Sequence, residues 1–288
     1  MSDNKGFLVS IVLPTYNGER LINKSIESII SQTYTNWELI IVDDCSTDKT
    51  PEIVDSYAKE DNRIKVIHNK INQKLPKSLN IGFSVTKGIY RSWTSDDNQY
   101  HKDAIEKMVD FLNCNETIDM VYSNMNLINN DGKFIGDFEA GEPEELRIRS
   151  SVGASFLMRD SIMQKVGPYN DSLFLVEDYE YWIRIFLTGK MYHLKETLYD
   201  YCMNENGLTA KRKDDILRMT FNVKNMYFNE LINSCQNEED RRRFLIEMSN
   251  MMYEFKKQYY RMGYKYSIKK EWKDFKTWIR IAIFHNET

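Results

Sequence analysis

The 288-residue chain reads as an α/β protein, a mixed sheet flanked by helices over residues 1–210, continued by an α-helical region over 211–288. Short apolar runs alternate with amphipathic helical stretches through the first hundred residues, as in a parallel sheet covered by helices. Asn130-Asp131-Gly132 then sits between two alternating segments, where a hairpin turn belongs, so an antiparallel pair joins the sheet. From residue 211 the strand signals vanish, and the chain becomes helical and rich in Met, Asn and aromatic residues.

The elements follow in order. FLVSIVL at 7–13 is the first strand. Leu21, Ile22, Ser25, Ile26, Ile29 and Ile30 recur at helical spacing and cover one sheet face. LIIV at 39–42 is the second strand, after which Thr50-Pro51 supplies an N-cap and a first-turn proline for a helix to residue 59. Residues 64–67 form the third strand, 76–85 a helix, 88–94 the fourth strand and 102–112 another helix.

Composition narrows the class. With 42% hydrophobic and 28% charged residues the chain is a globular protein, and its net charge of −4 argues against general nucleic-acid binding. Cys45, Cys114, Cys202 and Cys235 are widely spaced, with no CxxC pair and no metal-ligand spacing to a histidine, which suits a reducing, cytoplasmic compartment. The amino terminus lacks the apolar core of a signal peptide, and no run approaches the ~18–20 apolar residues of a membrane span.

In an open parallel sheet, ligands bind outside the carboxyl ends of the strands. Three polar groups of residues occupy such ends: Pro14-Thr15-Tyr16-Asn17, Asp43-Asp44 and Asp96-Asp97. Tyr16 can stack on a flat ring such as a nucleobase. Carboxylates repel phosphates, but they accept hydrogen bonds from a base or ribose and can hold a divalent cation that itself binds a diphosphate. Adjacent side chains of an extended strand point to opposite faces, so Asp96 and Asp97 are expected to differ in role. The phosphate loops GxGxxG and GxxxxGK[ST] are both missing.

VSIVLPTYNGE, WELIIVDDCSTDKT, SWTSDDN and FLVEDYEYWIR, in this order, resemble the family 2 glycosyltransferases of the GT-A fold over residues 7–205. The resemblance implies an inverting transfer of one sugar, hexosyl or N-acetylhexosaminyl, from a nucleotide-diphosphate donor to a hydroxyl, with Mn²⁺ or Mg²⁺. It implies that Pro14, Thr15 and Tyr16 form the nucleotide edge of the first strand, and that Asp44 reads the uracil of a UDP-sugar. Asp96 and Asp97 fall in the metal motif, with Asp97 as the direct ligand and Asp96 toward the donor. Asp178 stands where the family places its general base, and Lys74 and Asn80 resemble a stretch lining the donor site. A helix N-terminus at Asp178 is expected to keep it ionised. Tyr181 and Trp182 lie at i+3 and i+4 from it, to contact a sugar or to pack the core. Arg184 reads equally as a buried partner or a surface charge.

Two departures stand out. Asn204 occupies the place where relatives carry a histidine, and the Gln/Arg-x-x-Arg-Trp motif of processive members is absent, which favours single-sugar transfer. Between 256 and 280 nine Lys/Arg face two Asp/Glu among interleaved aromatics, so 256–283 is a candidate for peripheral contact with the inner face of the cell membrane. The same stripe also suits packing on the chain's own catalytic domain or on a second copy in a homodimer. The expected partners are a nucleotide sugar and a glycan or lipid-linked acceptor of surface polysaccharide or glycolipid synthesis, with no nucleic acid. Two rivals are a catalytically silent sugar-nucleotide-binding module, motivated by Asn204, and a receiver-type signalling domain, suggested by ELIIVDD but leaving Glu177-Asp178 unexplained.

Overall fold

The computed structural model describes residues 6–204, 207 and 211–261, with side chains through 254. Contacts divide the chain into two compact units, Met1–Lys211 and Arg212–Thr288.

The first unit is built on a nine-stranded sheet. Strands β1 (Val9–Thr15), β2 (Trp37–Asp43), β3 (Ile64–His68) and β4 (Tyr90–Trp93) run parallel in the order β3-β2-β1-β4. Helices α1 (Ile22–Ile30), α2 (Thr50–Glu60) and α3 (Leu75–Ser84) connect them. Beyond β4 come the short β5 (Gln99–Tyr100), helix α4 (Ala104–Cys114), β6 (Met120–Ile128), β7 (Phe134–Phe138), β8 (Phe156–Arg159), α5 (Asp160–Val166), α6 (Glu177–Thr188) and β9 (Met191–Cys202). β8 is antiparallel to β4 and joins the parallel half to β6, whereas β9 runs parallel to β6 and antiparallel to β5. The expected hairpin across residues 130–132 is present as β6 paired antiparallel with β7.

β1 is buried throughout because both its faces are covered. Val9, Ile11 and Leu13 join Ile22, Ile26 and Ile29 of α1, Val54 of α2 and Ile105, Met108 and Leu112 of α4 in one buried cluster. Val12, on the opposite face, meets α3 at Gly82, where an added Cβ would lie 2.4 Å from the Val12 Cγ1. Only a glycine lets α3 lie this close to the sheet.

The registers align the strand ends: Thr15 is opposite Asp43, and Asp43 opposite His68. Asp44 N–H donates to the Thr15 carbonyl at 2.8 Å, and Asn69 N–H to the Asp43 carbonyl at 2.8 Å, so the ladder continues into the loops. One level edge of polar loops results.

Two features depart from the sequence reading. Thr50 does not cap α2; its hydroxyl accepts Gly18 N–H at 2.9 Å, while Asp48 accepts Thr50 N–H at 3.0 Å. β8 and β9 escape the apolar-run pattern, because β8 has four residues and β9 carries exposed Lys195, Glu196 and Thr197 where its register to β6 shifts. The basic stretch 256–283, apart from the backbone of 256–261, lies outside the described residues.

In the second unit, α7 (Lys213–Met226), α8 (Phe228–Asn233) and α9 (Glu238–Arg261) bury Phe221, Phe228, Leu231, Phe244 and Met248. No described helix is long and apolar enough to cross a membrane.

His68, at the end of β3, places Nδ1 2.9 Å from the Asp43 carboxylate and Nε2 3.1 Å from that of Asp55. The hydrogen bond to Asp43 is the main cause that raises the imidazole above its ordinary value. A folded-state value raised in this way stabilises the fold fully below the unfolded value near ~6.5, and the gain is lost as pH climbs through the raised value. Urea titrations of wild type and His68→Gln are therefore expected to differ at pH 5.5 and to converge by pH 9.

Candidate functional site

The loop after β1 is laced to the loop after β2 by backbone and side-chain bonds. Asn17, at φ 56°, donates its N–H to Ser46 Oγ at 2.9 Å and accepts Thr47 N–H on Oδ1 at 2.8 Å. Glu19 accepts Lys49 N–H at 3.0 Å. Pro14 and Thr15 are buried at the strand end, whereas Tyr16 is 50% exposed at the rim, free to offer a ring face.

Asp96 and Asp97 lie beyond β4 in a turn, and this corrects the extended-strand expectation. Their inequality comes from their partners. Asp96 accepts the Thr15 hydroxyl at 2.5 Å and faces the Tyr16 N–H, while burial raises its carboxyl. Asp97 has no hydrogen-bond partner besides its own backbone N–H among the described residues, and burial, reinforced by the Asp96 charge, pushes it up to about 7. Gly18 makes the arrangement possible: a Cβ there would sit 2.4 Å from Asp96 Oδ2 and 2.6 Å from Thr15 Oγ1.

The two acids ending β2 face different neighbours. Asp43 Oδ1 accepts Ser46 N–H at 3.0 Å and Oδ2 meets His68. Asp44, 5% exposed, takes Asn69 Nδ2 at 2.8 Å and Gln73 N–H at 2.7 Å on Oδ1, and Lys74 N–H at 2.9 Å on Oδ2. Lys74 is exposed and held at φ 72° just before α3. Asn80 is committed elsewhere: its amide accepts Tyr169 N–H at 2.8 Å and donates to the Tyr169 carbonyl at 2.9 Å and to Asp171 at 2.8 Å. It ties α3 to residues 169–171.

Asp178 opens α6 and accepts Tyr179 N–H at 2.6 Å. Burial raises its carboxyl, which corrects the expectation that the helix terminus keeps it readily ionised; desolvation outweighs the helix field. Glu177 is buried, is raised by burial and by the Asp178 charge, and accepts Leu175 N–H at 2.8 Å, which holds Leu175 at φ 90°. Tyr181 and Trp182 are core residues: Tyr181 stacks on Tyr169 at 3.9 Å, and Trp182 meets Phe156 edge-on at 4.6 Å. Arg184 is a half-buried partner, donating to the carbonyls of Val166 at 2.5 Å and Pro168 at 2.9 Å and to Glu180 at 2.9 Å.

Sequence reasoning passed over Asn69, Asn98 and Tyr169. Asn98 accepts Cys202 N–H at 2.8 Å and so brings the end of β9 alongside the Asp96–Asp97 turn. The Asp97 charge accordingly contributes, after burial, to raising the Cys202 thiol to about 11. Asn204, two residues further on, follows from this edge. Tyr169 accepts Trp93 Nε1–H at 2.9 Å, joining β4 to the approach of α6.

No group of three His, Cys, Asp or Glu side chains suited to a metal ion occurs among the described residues. Asp97, half-buried, repelled by Asp96 and lacking a side-chain donor, nevertheless fits a hard cation that takes its remaining oxygens from water and a diphosphate.

The fold defines the class. The structure matches S. aureus TarS 1-349 in complex with UDP-GlcNAc at a TM-score of 0.67 and 18% identity, covering 96% of this chain and 81% of that one. It also matches the mannosyltransferase PcManGT from Pyrobaculum calidifontis in complex with GDP-Man and Mn²⁺, at 0.59 and 16%, covering 95% and 85%. This is the GT-A glycosyltransferase fold, with a helical C-terminal region. The glycosyl transferase family 2 profile matches residues 10–166. EpsE of Bacillus subtilis (strain 168), a provisionally named glycosyltransferase, is 33% identical over 229 residues, 77% of this chain and 80% of EpsE. Against two Rickettsia glycosyltransferases the chain spans 62% of the relative's length. The chain belongs to glycosyl transferase family 2 and is a glycosyltransferase.

Gly18→Ala is expected to force the Thr15–Asp96 contact apart and to destabilise the fold by about 1–3 kcal/mol, as overpacking does. Gly136→Ala, where an added Cβ meets nothing closer than 3.9 Å, serves as the control with little change. Urea unfolding of the two variants measures the difference.

Proposed function

We propose that the protein moves a single sugar from a nucleotide-diphosphate donor, a UDP-sugar, to a hydroxyl of a surface-polysaccharide or glycolipid acceptor, with inversion at the anomeric carbon. The observation that carries this is the convergence of Thr15, Tyr16, Asp44 and the Asp96–Asp97 turn on one sheet edge, bound together by the Thr15–Asp96 hydrogen bond. Such an edge offers a ring wall, hydrogen-bond acceptors and a carboxylate in want of a cation, which together suit a nucleoside diphosphate. The solved neighbours of this fold carry UDP-GlcNAc, or GDP-Man with Mn²⁺, in agreement with a nucleotide-sugar donor.

In this reading Tyr16 stacks on the base, Pro14 and Thr15 shape the strand end, and Asp96 fixes the turn and faces the ribose. Lys74 presents a positive charge near the donor. Asp97 would hold Mn²⁺ or Mg²⁺. The ion, when bound, neutralises charge on the leaving diphosphate. Asp178 takes the proton of the acceptor hydroxyl as the glycosidic bond forms. A carboxylate whose affinity for protons is raised by burial is a stronger acceptor than a solvated one, so the burial of Asp178 favours this role. Glu177 acts through the backbone, fixing the turn that presents Asp178.

A cytoplasmic location rests on the wide spacing of the four cysteines in the sequence, with no CxxC pair, and membrane or dimer contacts rest on the composition of 256–283. Division into a catalytic domain over 1–210 and a helical region over 211–288 is part of the same proposal. The silent binding module is the second reading, motivated by Asn204 alone.

Sugar transfer by wild type separates the two readings, and Asp178→Asn tests the mechanism. It is expected to lower the rate of sugar transfer by about 10²- to 10⁴-fold while leaving the affinity for UDP within about twofold, as measured by product formation and calorimetry. Undiminished transfer in this variant removes Asp178 from the chemistry.

A further inference from the structure

We propose that Tyr199 is a positioning residue for the cation site: its hydroxyl, shared between Thr94 and Asn98, holds the two shoulders of the Asp96–Asp97 turn and so fixes where the Asp97 carboxylate lies. The proposal rests on the reading of Asp97 as the ligand of a divalent cation that carries the donor's diphosphate.

The two shoulders are anchored more firmly than the turn between them. Residues 95–97 are half-buried, and Asp97 has no side-chain donor among the described residues. Thr94, 2% exposed, donates its N–H to the Val12 carbonyl at 3.0 Å and so ends the pairing of β4 with β1. Asn98, 1% exposed, offers its backbone carbonyl to the Ser25 hydroxyl of α1 at 2.5 Å and its Oδ1 to Cys202 N–H at 2.8 Å.

Tyr199 joins one shoulder to the other. It is wholly buried in β9, in register with Tyr100 of β5, whose ring it meets edge-on at 4.9 Å. Its hydroxyl lies 2.5 Å from Thr94 Oγ1, and the Asn98 side chain faces it from the far end of the turn. A phenol both accepts and donates a hydrogen bond. Acceptance from the Asn98 amide leaves the Tyr199 O–H for Thr94, whose own hydroxyl points to the Ser95 carbonyl at 3.5 Å. The charge of Asp97 reaches the same phenol, which places the acid beside this link.

The hydroxyl can be separated from the ring. Phenylalanine at 199 keeps the packing and removes only the bond that spans the turn, so Asp97 loses its fixed position while the rest of the donor edge is retained. Loss of a group that orients a metal ligand costs about 10- to 100-fold in metal affinity. Tyr100 supplies the matched control, because its hydroxyl, also buried, bonds Ser92 Oγ within β4 at 2.8 Å and not a residue of the turn.

UDP is titrated by calorimetry, with and without Mn²⁺, into wild type, Tyr199→Phe, Thr94→Val and Tyr100→Phe, and hydrogen exchange is followed on the peptide covering 94–98. Without metal, the four proteins are expected to bind UDP within about twofold of one another. With Mn²⁺, Tyr199→Phe and Thr94→Val are each expected to bind about tenfold more weakly than wild type, with faster exchange at Asp96 and Asp97, while Tyr100→Phe keeps the wild-type affinity. Thr94→Val leaves the tyrosine in place and decides the matter if Tyr199→Phe does not fold. An undiminished Mn²⁺ gain in either folded variant overturns the proposal and leaves the donor and cation readings intact. A loss of equal size with and without metal, or one shared by Tyr100→Phe, makes the hydroxyl merely structural and also overturns it. Absence of any Mn²⁺ gain in wild type removes the cation reading, and the proposal with it.

Discussion

Asp96 and Asp97 are held side by side and half-buried at the carboxyl edge of the sheet, and most of the surrounding architecture can be understood as the means of keeping them there. Burial and mutual repulsion both oppose two ionised acids at this spacing. Asp96 is stabilised by the Thr15 hydroxyl and the Tyr16 N–H, which requires β1 to end level with β2 and the 96–97 turn to close over Gly18. Asp97 receives no comparable help from side chains among the described residues. The protein supplies the scaffold for one acid and leaves the other to be satisfied from outside.

The same division recurs along the edge. Asp43 is engaged internally by Ser46 N–H and His68, and Asp44 by the 69–74 segment. Glu177 is engaged with the Leu175 backbone, so that Asp178 is the acid of that pair offered at the amino end of α6. In each pair one carboxylate organises backbone. At the two pairs assigned to chemistry, the partner is kept poorly solvated, with its carboxyl raised. In the proposed reading, desolvation makes Asp97 receptive to a cation and Asp178 to a proton, and in both cases the cost is met by folding the loops around it.

Much of this was legible in the sequence because it is local. A buried central strand must be apolar on both faces, so FLVSIVL and LIIV announce β1 and β2 by themselves, and acids placed directly after such runs must lie at the strand ends. β8 and β9 were not legible, since four residues and a bulged, half-polar strand leave no period to detect. Trp182 could not be assigned from spacing, because i+4 neighbours share a helix side without revealing which part of it the sheet covers. The tie of Asn80 to 169–171 was not legible, because those partners are distant in the chain. The direction of the Asp178 shift was misread for the same reason: the helix terminus is visible in the sequence, whereas desolvation depends on residues distant in the chain.

The central claim is that Asp97 is an acid left for a cation that carries the donor's diphosphate. Titration of UDP into wild type and Asp97→Asn, each with and without Mn²⁺, addresses it most directly. The account predicts a gain of about tenfold or more in UDP affinity on adding Mn²⁺ to wild type, and no gain in the variant. An equal gain in both proteins, or none in wild type, would contradict it.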